Sequence, residues 1–184
     1  MDTEREKMLA GALYDASDAE LVAARLRARR LCQALAVLPA DAPSADRVEL
    51  LTELFGTPTD AYVTAPFFCD YGVNIRLGSN VYFNFNCTIL DVAPVVIGDN
   101  VLFGPSVHVY TALHPLKGDE RRKGLEFGKP VVIERDVWLG GGSIVCPGVT
   151  VGAESVIGAG SVVVRDIPAG VLAAGNPCRV VRKI

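Results

Sequence analysis

Two histidines occur in the 184-residue chain, His108 and His114, and both lie in the stretch "HVYTALHPL". An imidazole titrates near neutral pH, so a histidine held in place suits general-base work on a hydroxyl. His114 has the better position for it. It precedes Pro115 and heads a polar segment, "HPLKGDERRKGLEFGKP", that carries two prolines and three glycines. His108 lies six residues earlier, a spacing that puts the two at equivalent places on successive repeat units and would suit a metal site. Zinc chemistry needs three protein ligands and a water, so a further copy of the chain would have to supply the third. Cys146, in "IVCPGV", is the other candidate, as a nucleophile. A thiol needs a neighbouring base, and the sequence places none beside it, so a structural wall position is expected. The run Arg25, Arg27, Arg29 and Arg30 reads as a solvated helix face.

What must position these residues is a periodic scaffold. Ile133, Leu139, Val145, Val151, Ile157 and Val163 are aliphatics spaced by six, and four places after each come Val137, Ser143, Val149, Ser155, Ser161 and Ile167. An earlier register runs through Ile75, Val81 and Cys87 and, after an insertion around Pro94, through Ile97, Phe103 and Val109. This is the signature of a hexapeptide β-helix. Each unit makes a short strand and a turn, three units close one triangular coil, and coils gain stability only by stacking. The segment after Val109 cannot fill a coil interior, so it leaves the wall as a loop over about 112–130. Loops on rigid scaffolds are where function concentrates.

The first part of the chain, 1–58, reads as a helical subdomain before the β-helix of 59–184. Thr3 and Glu6 form a capping box, with Met8, Leu9, Leu13 and Tyr14 as an apolar face. Asp18 caps a second helix. Pro39 to Ser44 is a linker, and Ser44 opens a third helix with Val48, Leu51, Leu54 and Phe55 on one side, ended by Gly56. Half the residues are hydrophobic and 21% are charged, which supports a sizeable core and excludes disorder for the whole. A net charge of −3 and a pI near 5.4 argue against nucleic acid as a partner. The five cysteines form no CxxC pair, and "MDTEREKMLAG" begins neither a secretory nor a membrane-spanning segment. Unpaired thiols, a cytoplasmic location and no membrane partner are therefore expected.

Several stretches together resemble one family. "MLAGALYD", "CDYGVNIRLGSNVYFNFNCTILD", "TALHPL", "GKPVVI", "DVWLGGGSIVCPGVTVG", "VIGAGSVVVRDIP" and "AAGNPCRVVRKI" are similar to the maltose O-acetyltransferase and galactoside O-acetyltransferase family and to nodulation acetyltransferases. The resemblance covers nearly the whole chain. It implies a mainly β fold, a left-handed parallel β-helix with a helical start. It also implies a homotrimer whose active sites lie between subunits. The activity it implies is acetyl transfer from acetyl-CoA, as co-substrate and without a metal, to a sugar hydroxyl.

By residue, the resemblance makes His114 the catalytic base. It matches Asp15, Asp70, Tyr82 and Asn84 to acceptor contacts, with Asp91 close by and Glu126 on the pocket loop. It matches Trp138, Gly141, Ala159, Val164, Arg165, Arg179 and Arg182 to coenzyme A contacts. Glu126 or Asp91 would orient His114. Val92 departs from the galactoside type, which has a second acid there, and Asp15 stands where the two types differ. "TALHPL" and "GKPV" lean towards the maltose type. The readings from other classes are a trimeric scaffold without catalysis and a metal-dependent hydratase.

Overall fold

The computed structural model describes residues 2–184. Three helices lead the chain: α1 (Glu4–Leu9), α2 (Ala19–Val37) and α3 (Ser44–Phe55). The Thr3 N–H donates to the Glu6 carboxylate at 2.7 Å and the Glu6 N–H to Thr3 Oγ1 at 3.1 Å, which satisfies two otherwise orphaned donors. Asp18 caps α2 by accepting from the Glu20 and Leu21 N–H groups. Gly56 stops α3 at φ +72°, where a side chain would be strained.

Two apolar faces are narrower than expected. α1 ends before Leu13, so Met8 is buried from the helix and Tyr14 from a strand, while Leu9 and Leu13 stay exposed. In α3 the buried stripe is Leu51, Leu54 and Phe55; Val48 is exposed because only the C-terminal half of the helix is covered.

From Tyr62 onward the chain winds as a left-handed parallel β-helix with three flat faces. Face one stacks Ile75–Leu77, Val95–Ile97, Val131–Ile133 and Thr150–Val151. Face two stacks Tyr62–Val63, Tyr82–Phe83, Leu102–Phe103, Trp138–Leu139, Val156–Ile157 and Val171–Ala174, and Arg179–Lys183 adds an antiparallel edge. Face three stacks Phe67–Cys69, Cys87–Leu90, His108–Tyr110, Ile144–Val145 and Val162–Val163. All six aliphatics from Ile133 to Val163 are fully buried, as are Val137, Ser143, Ser155 and Ser161 of the second series.

The earlier register needs one correction. Leu77 and Ile89, not Ile75 and Cys87, stack on Ile97 and Val109. Ile75, Val81 and Cys87 point inward too, but in the second series. Both positions face the core, so aliphatic spacing alone does not tell them apart.

In the lower coils the inward aliphatics give way to phenylalanines. Phe83 stacks on Phe103 at 4.4 Å and meets Phe67 edge-on at 5.3 Å; Phe67 in turn meets Phe55 of α3 at 6.1 Å. The helices and the prism thus share one core. One corner turn is glycine by necessity. A Cβ on Gly140 would lie 2.6 Å from the backbone nitrogen of Ala159 in the next coil.

Replacing Phe83 by Ala should lower the unfolding free energy by about 3–5 kcal/mol, the usual cost of emptying an aromatic core site. Leu116→Ala, at a side chain 94% exposed, should change it by no more than about 0.5 kcal/mol. Urea unfolding of both variants checks the pair.

Candidate active site

The polar segment after face three is not a free loop. Ala112–Leu113 pairs antiparallel with Leu125–Gly128, and the short helix α4 (Gly118–Arg121) fills the tip. The far edge of Leu125–Gly128 takes Tyr14–Asp15 from the N-terminal part, which completes a three-stranded sheet. Leu113 stands opposite Phe127 and Tyr14 opposite Glu126. Continuing that register by one position sets His114 opposite Glu126. Tyr14, Glu126 and His114 therefore form one row across the sheet, on one side of it.

The base of the hairpin is pinned. Thr111 is fully buried; its hydroxyl donates to the Leu90 carbonyl at 2.6 Å and accepts the Ala93 N–H at 2.9 Å. Gly128 is small because a Cβ there would meet Ala93 Cβ at 2.9 Å.

The geometry of the row is specific. His114 Nε2 lies 3.8 Å from Glu126 Oε2, with the imidazole 57% exposed and the carboxylate only 17%. That separation is an ionic contact rather than a hydrogen bond. The Tyr14 hydroxyl is buried without a hydrogen-bond partner. Burial, then the Glu126 charge beside it, push its pKa far up and keep it a neutral donor.

His114 and Glu126 open onto a cavity of about 320 Å³ whose other walls include Arg25, Arg29, Asp70, Tyr71 and Val92. Burial raises the Asp70 pKa, and Arg25 and Arg29 partly offset it. A hydroxyl-bearing ligand would find acceptors, donors and a base within one concave site.

Asp91, expected among the acceptor contacts, is fully buried behind this wall. Its Oδ1 accepts the backbone N–H groups of Asp70 and Tyr71 at 3.0 and 2.9 Å. It shapes the wall without touching the cavity. Glu126 is thus the carboxylate that meets His114. Asp15, opposite Leu125 in the sheet, does not line the cavity, and its carboxylate is occupied by the Ser17 N–H and hydroxyl at 2.8 and 2.7 Å.

The remaining predicted residues fall elsewhere on the prism. Asp70, Asp91, His114, Val164 and Arg165 follow face three, at its corner with face one. Tyr82 and Trp138 lie on face two, and Asn84, Gly141 and Ala159 at its corner with face three. Arg179 and Arg182 belong to the antiparallel edge strand. One chain therefore carries the predicted residues in two groups on either side of face three, one at its corner with face one and one on face two and the corner between faces two and three. It does not bring Tyr82, Asn84, Gly141 or Ala159 to His114. Trp138, Ala159, Val164, Arg165, Arg179 and Arg182 are all exposed.

His108 and His114 are not equivalent. His108 sits on a face-three strand with Nδ1 3.0 Å from the Tyr110 hydroxyl, whereas His114 has left the coil. Among the described residues no group of three or more His, Cys, Asp or Glu is arranged to hold a metal, and no helix is long and apolar enough to cross a membrane. Burial pushes the Cys146 thiol up.

The arginine run is not uniformly solvated. Arg25 donates to the Tyr71 hydroxyl at 2.7 Å and to the Ala16 carbonyl at 2.5 Å, and Arg27 donates to the Glu53 carbonyl. Sequence reasoning missed Arg25 and Arg29 as cavity walls. Their spacing of four, one turn apart on one helix face, was the available signal.

Burial raises the Asp91 pKa from the ordinary 3.8 to about 6. A folded state that holds its proton more tightly than the unfolded chain is most stable below the ordinary value, and loses that stability as pH rises towards 6. Asp91→Asn retains the Oδ1 acceptor. It should remove this group's share of the slope, about 3 kcal/mol between pH 4 and 6, which urea unfolding across that range measures.

Comparison with known proteins agrees with this architecture. Residues 7–59 match the maltose acetyltransferase hexapeptide capping motif, and residues 130–165 match the six-repeat bacterial transferase hexapeptide. A maltose O-acetyltransferase from Clostridium difficile 630 superposes with a TM-score of 0.96 at 45% identity, covering 100% of this chain and 98% of that one. A galactoside acetyltransferase in complex with coenzyme A gives 0.93 at 40% identity, covering 100% and 92%. A hexapeptide-repeat acetyltransferase from Vibrio cholerae O1 biovar eltor, complexed with acetyl coenzyme A, gives 0.89 at 42%, covering 99% and 98%. With a capped β-helix, a histidine-bearing hairpin and likeness along its whole length, the chain belongs to the hexapeptide-repeat acetyltransferases of the maltose and galactoside acetyltransferase family.

Proposed function

We propose that the enzyme moves an acetyl group from acetyl-CoA directly to a sugar hydroxyl, with His114 as general base and a maltose- or glucose-type acceptor favoured. The observation that carries this reading is the approach of His114 and Glu126 on the wall of a polar cavity, with buried Tyr14 opposite Glu126 in the same row. Two of the structural neighbours hold coenzyme A or acetyl-CoA, which supports the donor. An acetyl-CoA donor also implies a cytoplasmic enzyme.

In this mechanism His114 takes the proton of the acceptor hydroxyl as its oxygen attacks the thioester carbonyl. The tetrahedral oxyanion collapses, the C–S bond breaks, and the coenzyme A thiolate leaves and recovers the proton from the imidazolium. Glu126 is the carboxylate beside the imidazole and would help to orient it. The Gly141 N–H donates to no group of the described chain, which leaves it free for the oxyanion; such a donor is worth about 3–4 kcal/mol. Arg165, Arg179 and Arg182 suit the cofactor phosphates. Among the described residues none of the three is paired with an acid. Arg179 and Arg182 donate only to the carbonyls of Cys178 and Lys183. Acceptor contacts come from Asp70 and Glu126, which line the cavity.

The split of these residues over two corners supports a homotrimer. The His114 corner of one chain would face the Tyr82, Asn84, Gly141 and Ala159 corner of its neighbour, and each interface would hold one active site.

His114→Ala should lower acetyl transfer by at least ~10²-fold while coenzyme A binding, followed by calorimetry, persists. Activity that survives the change removes the general base from the mechanism. Absence of acetyl transfer from the wild-type chain would instead favour the non-catalytic scaffold, and stoichiometric zinc or iron by elemental analysis the metal-dependent reading.

Mixing tests the shared site. His114→Ala and Ala159→Asp chains, each inactive alone, should regain about one quarter of wild-type activity after co-refolding, since each site draws one residue from each of two randomly combined chains. No recovery would confine the site to one chain.

A further inference from the structure

We infer that Cys32 and Cys69 form a reversible disulfide that senses peroxide and alters acceptor binding. The two sulfurs lie 3.9 Å apart, Cys32 on α2 and Cys69 at the end of the strand Phe67–Cys69 on which α2 packs. All five cysteines are free thiols, and this pair takes no part in the chemistry of the His114 cavity. Both sulfur-bearing residues line a second cavity of about 300 Å³, walled by Arg29, Ala36, Pro66 and Phe68. It is roomy enough to admit a small peroxide to thiols that are otherwise largely buried.

The pair is chemically unequal, which suits one to attack and the other to resolve. The hydrogen bond from Cys69 holds Cys32 below the ordinary thiol value, and that contact with burial pushes Cys69 up. The Cys32 thiolate attacks one oxygen of hydrogen peroxide, the O–O bond breaks, and Cys32 becomes a sulfenic acid as the hydroxide released takes up a proton to leave as water. The Cys69 sulfur then attacks the sulfenic sulfur, its proton leaves with the departing hydroxyl as a second water, and an S–S bond remains. Two thiols have lost two electrons in total, and one peroxide has gained them. Closing 3.9 Å to a bond of about 2.05 Å brings the sulfurs about 2 Å closer, by side-chain rotation together with movement of α2 against the strand.

That motion bears on the acceptor cavity by two routes. Arg29, one turn before Cys32 on α2, lines both cavities. Cys69 is followed in the chain by Asp70 and Tyr71, cavity walls whose N–H groups are fixed by buried Asp91. The effect on acceptor binding rests on the acetyl-transfer reading above; the bond itself does not.

The test treats reduced, desalted enzyme with a small excess of hydrogen peroxide, then alkylates and digests it for mass spectrometry. A Cys32–Cys69 linked peptide, two hydrogens lighter than its parts and reversed by dithiothreitol, is the expected product. Amide exchange at Asp70 and Tyr71 should change with it. The acceptor KM should shift several-fold while that for acetyl-CoA stays constant. Cys32→Ser and Cys69→Ser should each abolish the link and these responses.

Oxidation of other cysteines without this link overturns the proposal, as does a link that leaves both exchange at Asp70–Tyr71 and acceptor KM unmoved. If no sugar is acetylated, that failure falls on the acetyl-transfer reading, and the linked peptide with the exchange data decides the disulfide.

Discussion

Stacking an inward aliphatic on its counterpart in the coil below is the interaction on which the molecule depends. A single coil of three short strands cannot exclude water from its interior, so each coil is stable only as part of a stack. Stacking also fixes what the corners can hold. Backbone meets backbone there, which is why the Gly140 corner accepts no side chain. A second corner turn instead uses residues that tolerate positive φ. Asn80, Asn100 and Asp136 all adopt it and pass side-chain hydrogen bonds from coil to coil at 3.0 Å. A side chain that must stand clear of the wall has to leave the stack, and His114 does so on a hairpin.

A hairpin outside a rigid wall needs its own support. Here it comes from the start of the chain. Tyr14–Asp15 closes the sheet beside Glu126, and a small cluster of Met8, Tyr14, Leu21, Tyr71 and Val92 fills the space between helices, hairpin and wall. Val92, where the galactoside type has an acid, packs in this cluster and contributes an apolar patch to the cavity. The N-terminal segment thus serves both as a cover for the first coil and as one edge of the sheet that carries His114.

Much of this was legible from residue type and spacing. The period of six marked the prism, its interruption marked where the chain leaves the wall though not that it does so as a hairpin, and Thr3, Asp18 and Gly56 marked helix ends, because each signal is local. What stayed hidden depends on contacts far apart in sequence. The pairing of Tyr14 with Glu126 joins segments more than a hundred residues apart, and no local pattern announces it. The burial of Asp91 and the entry of Arg25 into the cavity wall likewise follow from how α2 and the first coils meet. The slip between Ile75 and Leu77 arose for a different reason: both point inward, so aliphatic spacing is consistent with either register.

The hairpin tip has a consequence for how such an enzyme diversifies. Beyond the row that holds His114 and Glu126, the chain runs through α4 with Leu116 almost wholly exposed and its polar side chains turned to water. The anchoring pairs and Thr111 all lie on the prism side of that row. Arg121 of α4 ties the tip back to the Pro115 and Leu116 carbonyls; changes in length and composition that spare this tie can redraw the rim of the cavity while the anchored end of the hairpin keeps its place.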